Sequence, residues 1–378
     1  FEQKTIEGHA VRATLFATGA TAAALENHSP EYIAAVSRLW DNMIGKRMFI
    51  TGGVGAVHFD EKFGPDYFLP TDAYLETCAA VGAGFFSQRM NELTGDAKYM
   101  DELERTLYNN VLTGISLSGT QYTYQNPLNS AKHARWSWHD CPCCPPMFLK
   151  MMSAMPGFIY SQKGSDVYVN LFVGSETEMT LADRNRVRLT QKTGYPWEGV
   201  VTMTVEPEKE KTFILKVRIP GWAQGVENPY GLYRSEVRSA VSLKVNGKSV
   251  PLKIFKGYAE IQRKWKKGDQ VELTLPVQPR LVTANEAVAD LQDKVAIAAG
   301  PFVYCLEGCD NEGLADLKVD MRSPLSITFE KGLLNGINVI KGQALDKTGK
   351  KVPVTAIPYY ALGNRQDKGY AVWIPASK

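Results

Sequence analysis

The sequence predicts a multidomain α plus β protein in which a helical portion is followed by one or more antiparallel β-sandwich domains. Up to about residue 160, apolar side chains recur at helical spacing, whereas short alternating runs separated by turn residues dominate from about residue 165. The 378 residues also exceed the size at which a single hydrophobic core stops growing. We therefore expect a helical unit over 1–160, a β-sandwich over 161–285, and a second sandwich, or the completion of the first, over 286–378.

The composition argues against several classes of function. The 44% apolar and 22% charged residues are ordinary for a globular protein, and the net charge of +3 comes from dispersed basic residues, so nothing points to nucleic acid. No run of about 18 apolar residues is present, so no membrane span is expected. The chain starts at Phe1 without an initiator methionine or a signal peptide, which fits a mature, processed or truncated product and leaves the compartment open.

Four helices can be placed in the first 112 residues. Residues 9–25 are small and apolar nearly all round, as in a helix buried among others. Pro30 follows Ser29, a suitable N-cap, and opens the second helix. The third helix runs over 77–93, and Asp96 caps the fourth. Helices joined by long loops favour an α/α toroid, in which the loops build the site.

The β portion is predicted from eight short alternating or apolar runs. One of them enters an Asn246-Gly247 dipeptide, which is typical of a hairpin turn. The runs cover 167–173, 200–205, 213–220, 241–248, 270–275, 295–298, 302–304 and 371–374.

A glycine-rich stretch over 51–61 invites comparison with a phosphate-binding loop. The Walker pattern requires Gly-Lys-Ser/Thr, which does not follow, and a dinucleotide fingerprint requires a preceding strand in a βαβ unit. We therefore interpret this stretch as a mobile or substrate-shaping loop without a phosphate role.

Three of the six cysteines lie within four positions, at Cys141, Cys143 and Cys144, and prolines follow them. Neighbouring cysteines reach disulfide geometry only with strain. Pro145 suits the first position of a helix, so both Cys143 and Cys144 are expected just outside a helix N-terminus, where the dipole favours thiolates. Thiolates gathered in this way are typical of metal ligands.

Glu76 and Cys78 supply further ligands of the right type. On a continuous helix, side chains two residues apart point in directions that differ by about 200°. Glu76 and Cys78 can therefore bind one ion only if Glu76 lies in a loop and Cys78 in the first turn. With Cys143 and Cys144 they make a Cys3Glu set that suits four-coordinate Zn²⁺. The spacing is not that of a standard zinc finger, and by itself it leaves reduced structural cysteines and a redox or disulfide role open.

Four motifs along the chain are shared with a known family. They are Gly8-His9-Ala10-Val11-Arg12, Glu76-Thr77-Cys78, the Cys-x-Cys-Cys-Pro turn, and Gly300-Pro301-Phe302-Val303-Tyr304-Cys305-Leu306-Glu307-Gly308. In these motifs the chain resembles glycoside hydrolase family 127, the β-L-arabinofuranosidases, and its close relatives. The resemblance implies a zinc-dependent retaining glycosidase with a cysteine nucleophile, an (α/α)6 barrel and trailing β-sandwiches. The family carries an N-terminal half-barrel ahead of the first motif, so we expect only a partial toroid here, with an exposed face that favours a homo-oligomer.

The resemblance also implies the reacting groups. Cys143 is the expected nucleophile, and Glu76, Cys78, Cys143 and Cys144 are the expected zinc ligands. Glu61 resembles the general acid/base of the family. The spacing is one residue shorter than expected, so Asp60 is a competitor, and a solvated surface run is the alternative for both.

Further residues are expected to contact the sugar. His9, Tyr124 and Glu76 are assigned to substrate binding, although a histidine beside a small-residue helix also fits a core position. Either Tyr122 or Tyr124 can present a hydroxyl to the substrate. The aromatic residues before the cysteine turn can stack on a sugar or simply wall the helical unit, and Cys305 and Cys309 are expected to be structural. Those aromatic residues are Trp136, Trp138 and His139.

These observations predict a retaining glycoside hydrolase that releases L-arabinofuranose or a related sugar from a plant-type oligo- or polysaccharide or a glycoprotein glycan. The alternative is a non-catalytic carbohydrate-binding or scaffold protein with a structural zinc. An open cleft that contains both Glu61 and Cys143 favours the hydrolase, whereas a closed Cys3Glu site without a nearby acid favours the alternative. A thiol redox protein is disfavoured because no C-x-x-C lies in a βαβ setting.

Overall fold

The computed structural model describes residues 1–132, 135–138, 140–236 and 239–377, so the expectation for His139 lies outside the described residues. Two of the helices continue into single-turn π-helical segments, over Met43–Arg47 and Leu107–Val111. Within the described residues, no helix is both long and apolar enough to cross a membrane. The α-helices in these ranges are α1 (Ala10–Asn27), α2 (Pro30–Asn42), α3 (Thr77–Thr94), α4 (Lys98–Thr106) and α5 (Cys144–Ala154). Short 3₁₀ turns cover Phe59–Glu61, Met155–Phe158, Gly221–Gln224, Ala289–Leu291, Leu314–Asp316 and Tyr359–Ala361.

Helix α1 is less buried than its composition suggests. Only one stripe of α1, with members three or four residues apart, is buried, whereas Phe16 on another face is 76% exposed. The prediction of a helix buried all round is therefore wrong for the described chain, because only one face of α1 is fully covered. The stripe consists of Ala10, Thr14, Ala17, Thr21 and Ala24.

Helix α3 is the central helix, and small residues let its neighbours approach closely. A Cβ atom at Gly82 would lie 2.1 Å from Thr14 Oγ1 on α1, and one at Gly84 would lie 2.5 Å from the Met151 side chain on α5. The helix ends at Gly95, whose left-handed conformation (φ 64°) is easily adopted by glycine. Helices α1 and α5 are therefore both packed against α3 at van der Waals distance.

Two sheets follow the helices and pack face to face as a β-sandwich. One has the strand order β10-β9-β13-β6-β5-β4 and the other β11-β12-β7-β3-β2. Their pairings are antiparallel except for β3 with β7, which is parallel and departs from the purely antiparallel prediction. Inward side chains of both sheets share one core that includes Val169, Val205 and Trp265. The bounds are β2 (Tyr160–Lys163), β3 (Asp166–Val169), β4 (Ser175–Thr180), β5 (Arg186–Thr193), β6 (Val200–Pro207), β7 (Lys211–Arg218), β9 (Ser242–Val245), β10 (Lys248–Ser249), β11 (Ile254–Phe255), β12 (Tyr258–Trp265) and β13 (Asp269–Thr274).

The remaining strands form a separate eleven-stranded sheet. Six of its strands pair in a closed circuit, β15-β16-β20-β19-β17-β22 and back to β15, with β17 and β22 parallel. Strand β1, from the helical portion, joins it by pairing with β21, and β8 joins by pairing with β14. The bounds are β1 (Asn129–Ser130), β8 (Tyr233–Ser235), β14 (Pro279–Ala284), β15 (Lys294–Ala299), β16 (Phe302–Glu307), β17 (Lys318–Asp320), β18 (Ser326–Glu330), β19 (Ile337–Leu345), β20 (Lys351–Pro358), β21 (Tyr370–Ala371) and β22 (Ile374–Ser377).

A buried ion-pair network joins the helices to the sandwich. Arg218 at the end of β7 is fully buried, and its guanidinium donates to Asp101 Oδ1 at 2.6 Å and to the carboxylate of Glu104 on α4. Tyr195 Oη donates to Glu104 Oε1 at 2.9 Å. Since each charge is paired, the network fixes α4 against the sandwich.

Replacing Arg218 with methionine should destabilise the protein by about 3–5 kcal/mol, because two buried carboxylates lose their partner. The urea midpoint of unfolding is the measurement. Arg186→Met is the control, because Arg186 is 56% exposed and pairs with surface carboxylates on the same sandwich. Arg186→Met should lower the free energy of unfolding by at most about 1 kcal/mol. Equal losses for the two variants would contradict the structural role of Arg218.

Candidate active site and metal centre

The N-termini of α3 and α5 meet and bring four ligand-type side chains together. Glu76 is the N-cap of α3 in extended conformation, and Cys78 lies in the first turn of that helix, as the sequence predicts. Cys143 is the N-cap of α5. Helix α5 begins one residue earlier than predicted, so Cys144 lies inside its first turn rather than outside it.

The geometry of this cluster fits a tetrahedral metal centre. The Sγ atom of Cys78 lies 3.4 Å from that of Cys143 and 3.5 Å from that of Cys144, and the last two are 3.9 Å apart. Glu76 Oε1 lies 3.4 Å from Cys143 Sγ and 4.0 Å from Cys144 Sγ. Zinc–sulfur bonds of about 2.3 Å at tetrahedral angles would separate two sulfurs by about 3.8 Å. The four side chains therefore fit one zinc ion, and the sulfurs are much too far apart for disulfides.

The electrostatics of the cluster also favour a cation. Burial raises the pKa of Glu76 to about 8, and hydrogen bonding to Cys143 raises the pKa of Cys78 far above its usual range. Hydrogen bonds from the thiols of Cys144 and Cys78 lower the pKa of Cys143. Without a cation the cluster therefore holds its negative charge mainly on Cys143. Glu76 Oε2 is buried and has no hydrogen-bond partner among the described residues.

A four-residue turn presents Glu61 to the same region. Val57 and Lys62 close the turn through two backbone hydrogen bonds of 3.0 and 3.2 Å. Asp60 and Glu61, at its tip, have positive φ values of 56° and 50°. The Asp60 side chain is 63% exposed and pairs with Lys62 at 3.3 Å, whereas the Glu61 side chain turns toward the pocket.

Three side chains hold the Glu61 carboxylate. Tyr74 Oη donates to Oε1 at 2.7 Å, and Tyr124 Oη donates to Oε1 at 3.3 Å. His9 Nε2 lies 2.9 Å from Oε2. Burial and the hydrogen bond to Glu61 raise the pKa of Tyr74, so its hydroxyl remains a donor. The same Tyr124 hydroxyl hydrogen-bonds the Cys143 sulfur, so its one hydrogen is shared between the two groups predicted to react.

A pocket of about 570 Å³ joins all of these groups. Six of the seven predicted site residues line it, while Cys144 is buried just behind it. Trp136 lines the pocket, whereas Tyr122 and the 74% exposed Trp138 do not. The lining residues are His9, Val11, Arg12, Glu61, Tyr74, Glu76, Cys78, Tyr124, Gln125, Trp136, Cys141, Cys143 and Met147.

Tyr74 is the site residue that the sequence analysis missed. It lies two positions before Glu76, which in turn lies two positions before Cys78. This alternation of polar side chains before a helix could have indicated that Tyr74 shares a side with the two ligands.

The glycine-rich stretch is part of the scaffold beneath the pocket. Residues 51–56 are buried, so the structure does not support a mobile loop. A Cβ atom at Gly52 would lie 2.5 Å from Thr106 Cα, and one at Gly55 would lie 2.8 Å from Ala10 Cβ. Both glycines also have positive φ. They therefore allow close packing under the turn that carries Glu61.

Comparison with known proteins links this geometry to one family. Residues 1–157 match the profile of the β-L-arabinofuranosidase GH127 catalytic domain, residues 166–277 that of the GH127 middle domain, and residues 279–375 that of the glycoside hydrolase family 127 C-terminal domain. The non-reducing end β-L-arabinofuranosidase of Bifidobacterium longum subsp. longum is 29% identical over 406 residues, which cover 97% of this chain and 59% of that protein.

Solved structures show the same relationship. A GH127 β-arabinofuranosidase superposes on the whole chain with a TM-score of 0.94 at 39% identity, and 61% of that chain is covered. The GH127 β-L-arabinofuranosidase of Geobacillus stearothermophilus gives a TM-score of 0.93 at 37% identity, with 62% covered. The chain thus spans less than two thirds of the length of these relatives. Its three consecutive profile matches and its fold show that the chain belongs to glycoside hydrolase family 127.

Proposed function

We propose that the protein is a retaining glycoside hydrolase that releases L-arabinofuranose from the non-reducing end of a glycan. The observation that carries this proposal is the position of Cys143 and Glu61 in one pocket, connected through the hydroxyl of Tyr124. A thiolate nucleophile and a carboxyl acid/base on either side of a sugar are the two groups that a retaining mechanism requires.

In the first step, the Cys143 thiolate attacks the anomeric carbon while Glu61 donates its proton to the departing glycosidic oxygen. The C–O bond breaks, a C–S bond forms, and the aglycone leaves as an alcohol. In the second step, Glu61 accepts a proton from water, the resulting hydroxide oxygen attacks the anomeric carbon, and Cys143 departs as a thiolate. His9 and Glu76 lie beside the reacting groups and would bind sugar hydroxyls.

Glu76, Cys78, Cys143 and Cys144 would hold a zinc ion, which their donor types and mutual distances fit. When bound, zinc would displace the protons of Cys78 and Cys144 and would take over from their hydrogen bonds in keeping Cys143 a thiolate at neutral pH. Without a cation, protons must neutralise most of these buried groups, whereas one cation satisfies all four ligand atoms at once, which supports a resident metal.

We also propose a larger architecture, a substrate class and an oligomeric state for the protein. Helices α1–α5 would form part of an (α/α)6 toroid, and the domain boundaries would lie near residues 160 and 285. The substrate would be a plant-type polysaccharide or a glycoprotein glycan with terminal β-L-arabinofuranose. The exposed face of α1, which includes Phe16, would favour a homo-oligomer. A non-catalytic carbohydrate-binding protein is disfavoured, because Glu61 faces the pocket beside the thiols.

Cys143→Ser should lower kcat/KM on an aryl β-L-arabinofuranoside by at least about 10³-fold, because a hydroxyl is a far weaker nucleophile than a thiolate. Cys309→Ser is the matched control and should retain activity, since Cys309 is a half-buried thiol near Glu307, away from the pocket. Rapid-quench mass spectrometry of the wild type should find one pentosyl group on the peptide that contains Cys143. A pentosyl group on a carboxylate would contradict the assignment.

Glu61→Gln should slow hydrolysis of an alkyl arabinofuranoside by about 10²–10⁴-fold, because the amide cannot protonate the leaving oxygen. Asp60→Asn removes the neighbouring carboxylate at the same turn and should change the rate less than about twofold, since Asp60 points away from the pocket. Steady-state kinetics of the two variants decide between the residues. A larger loss for Asp60→Asn would reverse the assignment.

Zinc uptake by metal-free protein should release about two to three protons per ion at pH 7, since Cys78, Cys144 and most of Glu76 are protonated before binding. Because these protons compete with the metal, affinity should fall as the pH is lowered. Isothermal titration calorimetry in two buffers with different ionisation enthalpies measures the release. Fewer than about one proton per zinc would show that the cluster does not bind the metal through these groups.

A further inference from the structure

Among the described contacts of the Glu61 carboxylate, the hydrogen bond from Tyr74 is the shortest. Tyr74 has no role of its own in the proposed bond-making and bond-breaking steps. Its hydroxyl donates to Glu61 Oε1 at 2.7 Å, and the side chain is only 8% exposed. Tyr124 donates to the same oxygen from 3.3 Å. Because the one hydrogen of Tyr124 is shared with the Cys143 sulfur, Oε1 depends on the hydrogen of Tyr74, whereas Oε2 faces His9.

The position of Tyr74 is fixed by its surroundings. Its ring contacts that of His58 edge-on at a centroid distance of 5.2 Å and that of Tyr124 at 6.1 Å. Its backbone N–H donates to Ala56 O at 3.2 Å, and the next residue, Leu75, donates to Gly55 O at 3.0 Å. Tyr74 is thus attached to the same buried segment that leads into the turn carrying Glu61.

Glu61 needs such support because of its backbone. Asp60 and Glu61 are two successive residues in the left-handed region, which is unfavourable for L-residues. Backbone pairing of Val57 with Lys62 closes the turn but does not select the direction of the Glu61 side chain. Side-chain partners in the pocket fix this direction, and among the described residues Tyr74 lies nearest to the carboxylate.

We propose that Tyr74 is a positioning residue for the acid/base. It holds Glu61 on the pocket side and, by occupying Oε1, assigns the transferable proton to Oε2. A carboxylic acid whose Oε1 already accepts the hydrogen of Tyr74 carries its own hydrogen on the other oxygen. This inference rests on the proposed hydrolase function and adds to it the residue that orients proton transfer.

Tyr74→Phe removes the hydroxyl and keeps the ring. Acid catalysis matters most for a basic leaving group, so kcat/KM for methyl β-L-arabinofuranoside should fall by about 30-fold or more. For 4-nitrophenyl β-L-arabinofuranoside, whose leaving group needs little protonation, the loss should stay below about fivefold. The ratio of the two losses is a readout that a merely structural defect would not change.

Tyr122→Phe is the matched control. Tyr122 is a buried tyrosine outside the pocket lining, and its hydroxyl has no hydrogen-bond partner in the described part of the chain. It should leave both rates and their ratio unchanged. Zinc content and the thermal midpoint of all variants are measured alongside, and should match those of the wild type.

The two proposals fail in distinguishable ways. A wild-type protein that cleaves both glycosides, together with a Tyr74→Phe variant that loses both activities equally or neither, would overturn the role of Tyr74 and leave the hydrolase intact. A wild-type protein that cleaves neither glycoside would overturn the proposed function, and the role of Tyr74 with it.

Discussion

The site depends on three thiols and one carboxyl group that are held close together between two helix N-termini. Such groups repel one another when ionised, so they persist together only if protons or a cation neutralise them. The positive ends of the α3 and α5 dipoles point at the cluster and lower this cost in part. Close packing at Gly84 and Met151 keeps the two helices at the required separation. The cluster is therefore a property of the helix packing rather than of either motif alone.

Glu61, the proposed acid/base, is held by a different set of contacts, and the packing of one helix pair sets its distance from the thiols. The Glu61 turn is tied to the start of α1, because Phe63 N donates to Gly8 O at 3.0 Å and His9 contacts Glu61. Helix α1 in turn lies against α3 where Gly82 faces Thr14. The separation between Glu61 and the thiols therefore follows from the approach of α1 to α3, which a small residue at position 82 permits.

Features that depend on neighbouring residues in the chain could be predicted from the sequence, whereas the directions of individual side chains could not. The placement of Glu76 in a loop and Cys78 in the first turn followed from the geometry of a helix start, and the mixed architecture followed from periodicity. The choice between Asp60 and Glu61 could not be made, since it depends on two positive φ values that no residue type at these positions announces. Tyr74 was missed because its partner lies 13 residues away, across that same turn. The burial of α1 was overestimated, because composition does not tell which faces have neighbours.

Contacts over long chain separations anchor the wall of the pocket. Tyr359 Oη donates to the carbonyls of Asn126 and Pro127, just after Tyr124, and β1 pairs with β21. Partners in these contacts are 232 or more residues apart, as in the hydrogen bond from Tyr370 to Pro127 O. On the ribosome, the nascent helices and thiols are thus complete long before the strands that brace Tyr124 exist. The pocket wall is therefore completed only after the cluster side chains have been synthesised, and capture of a metal in that interval would protect the exposed thiols from oxidation.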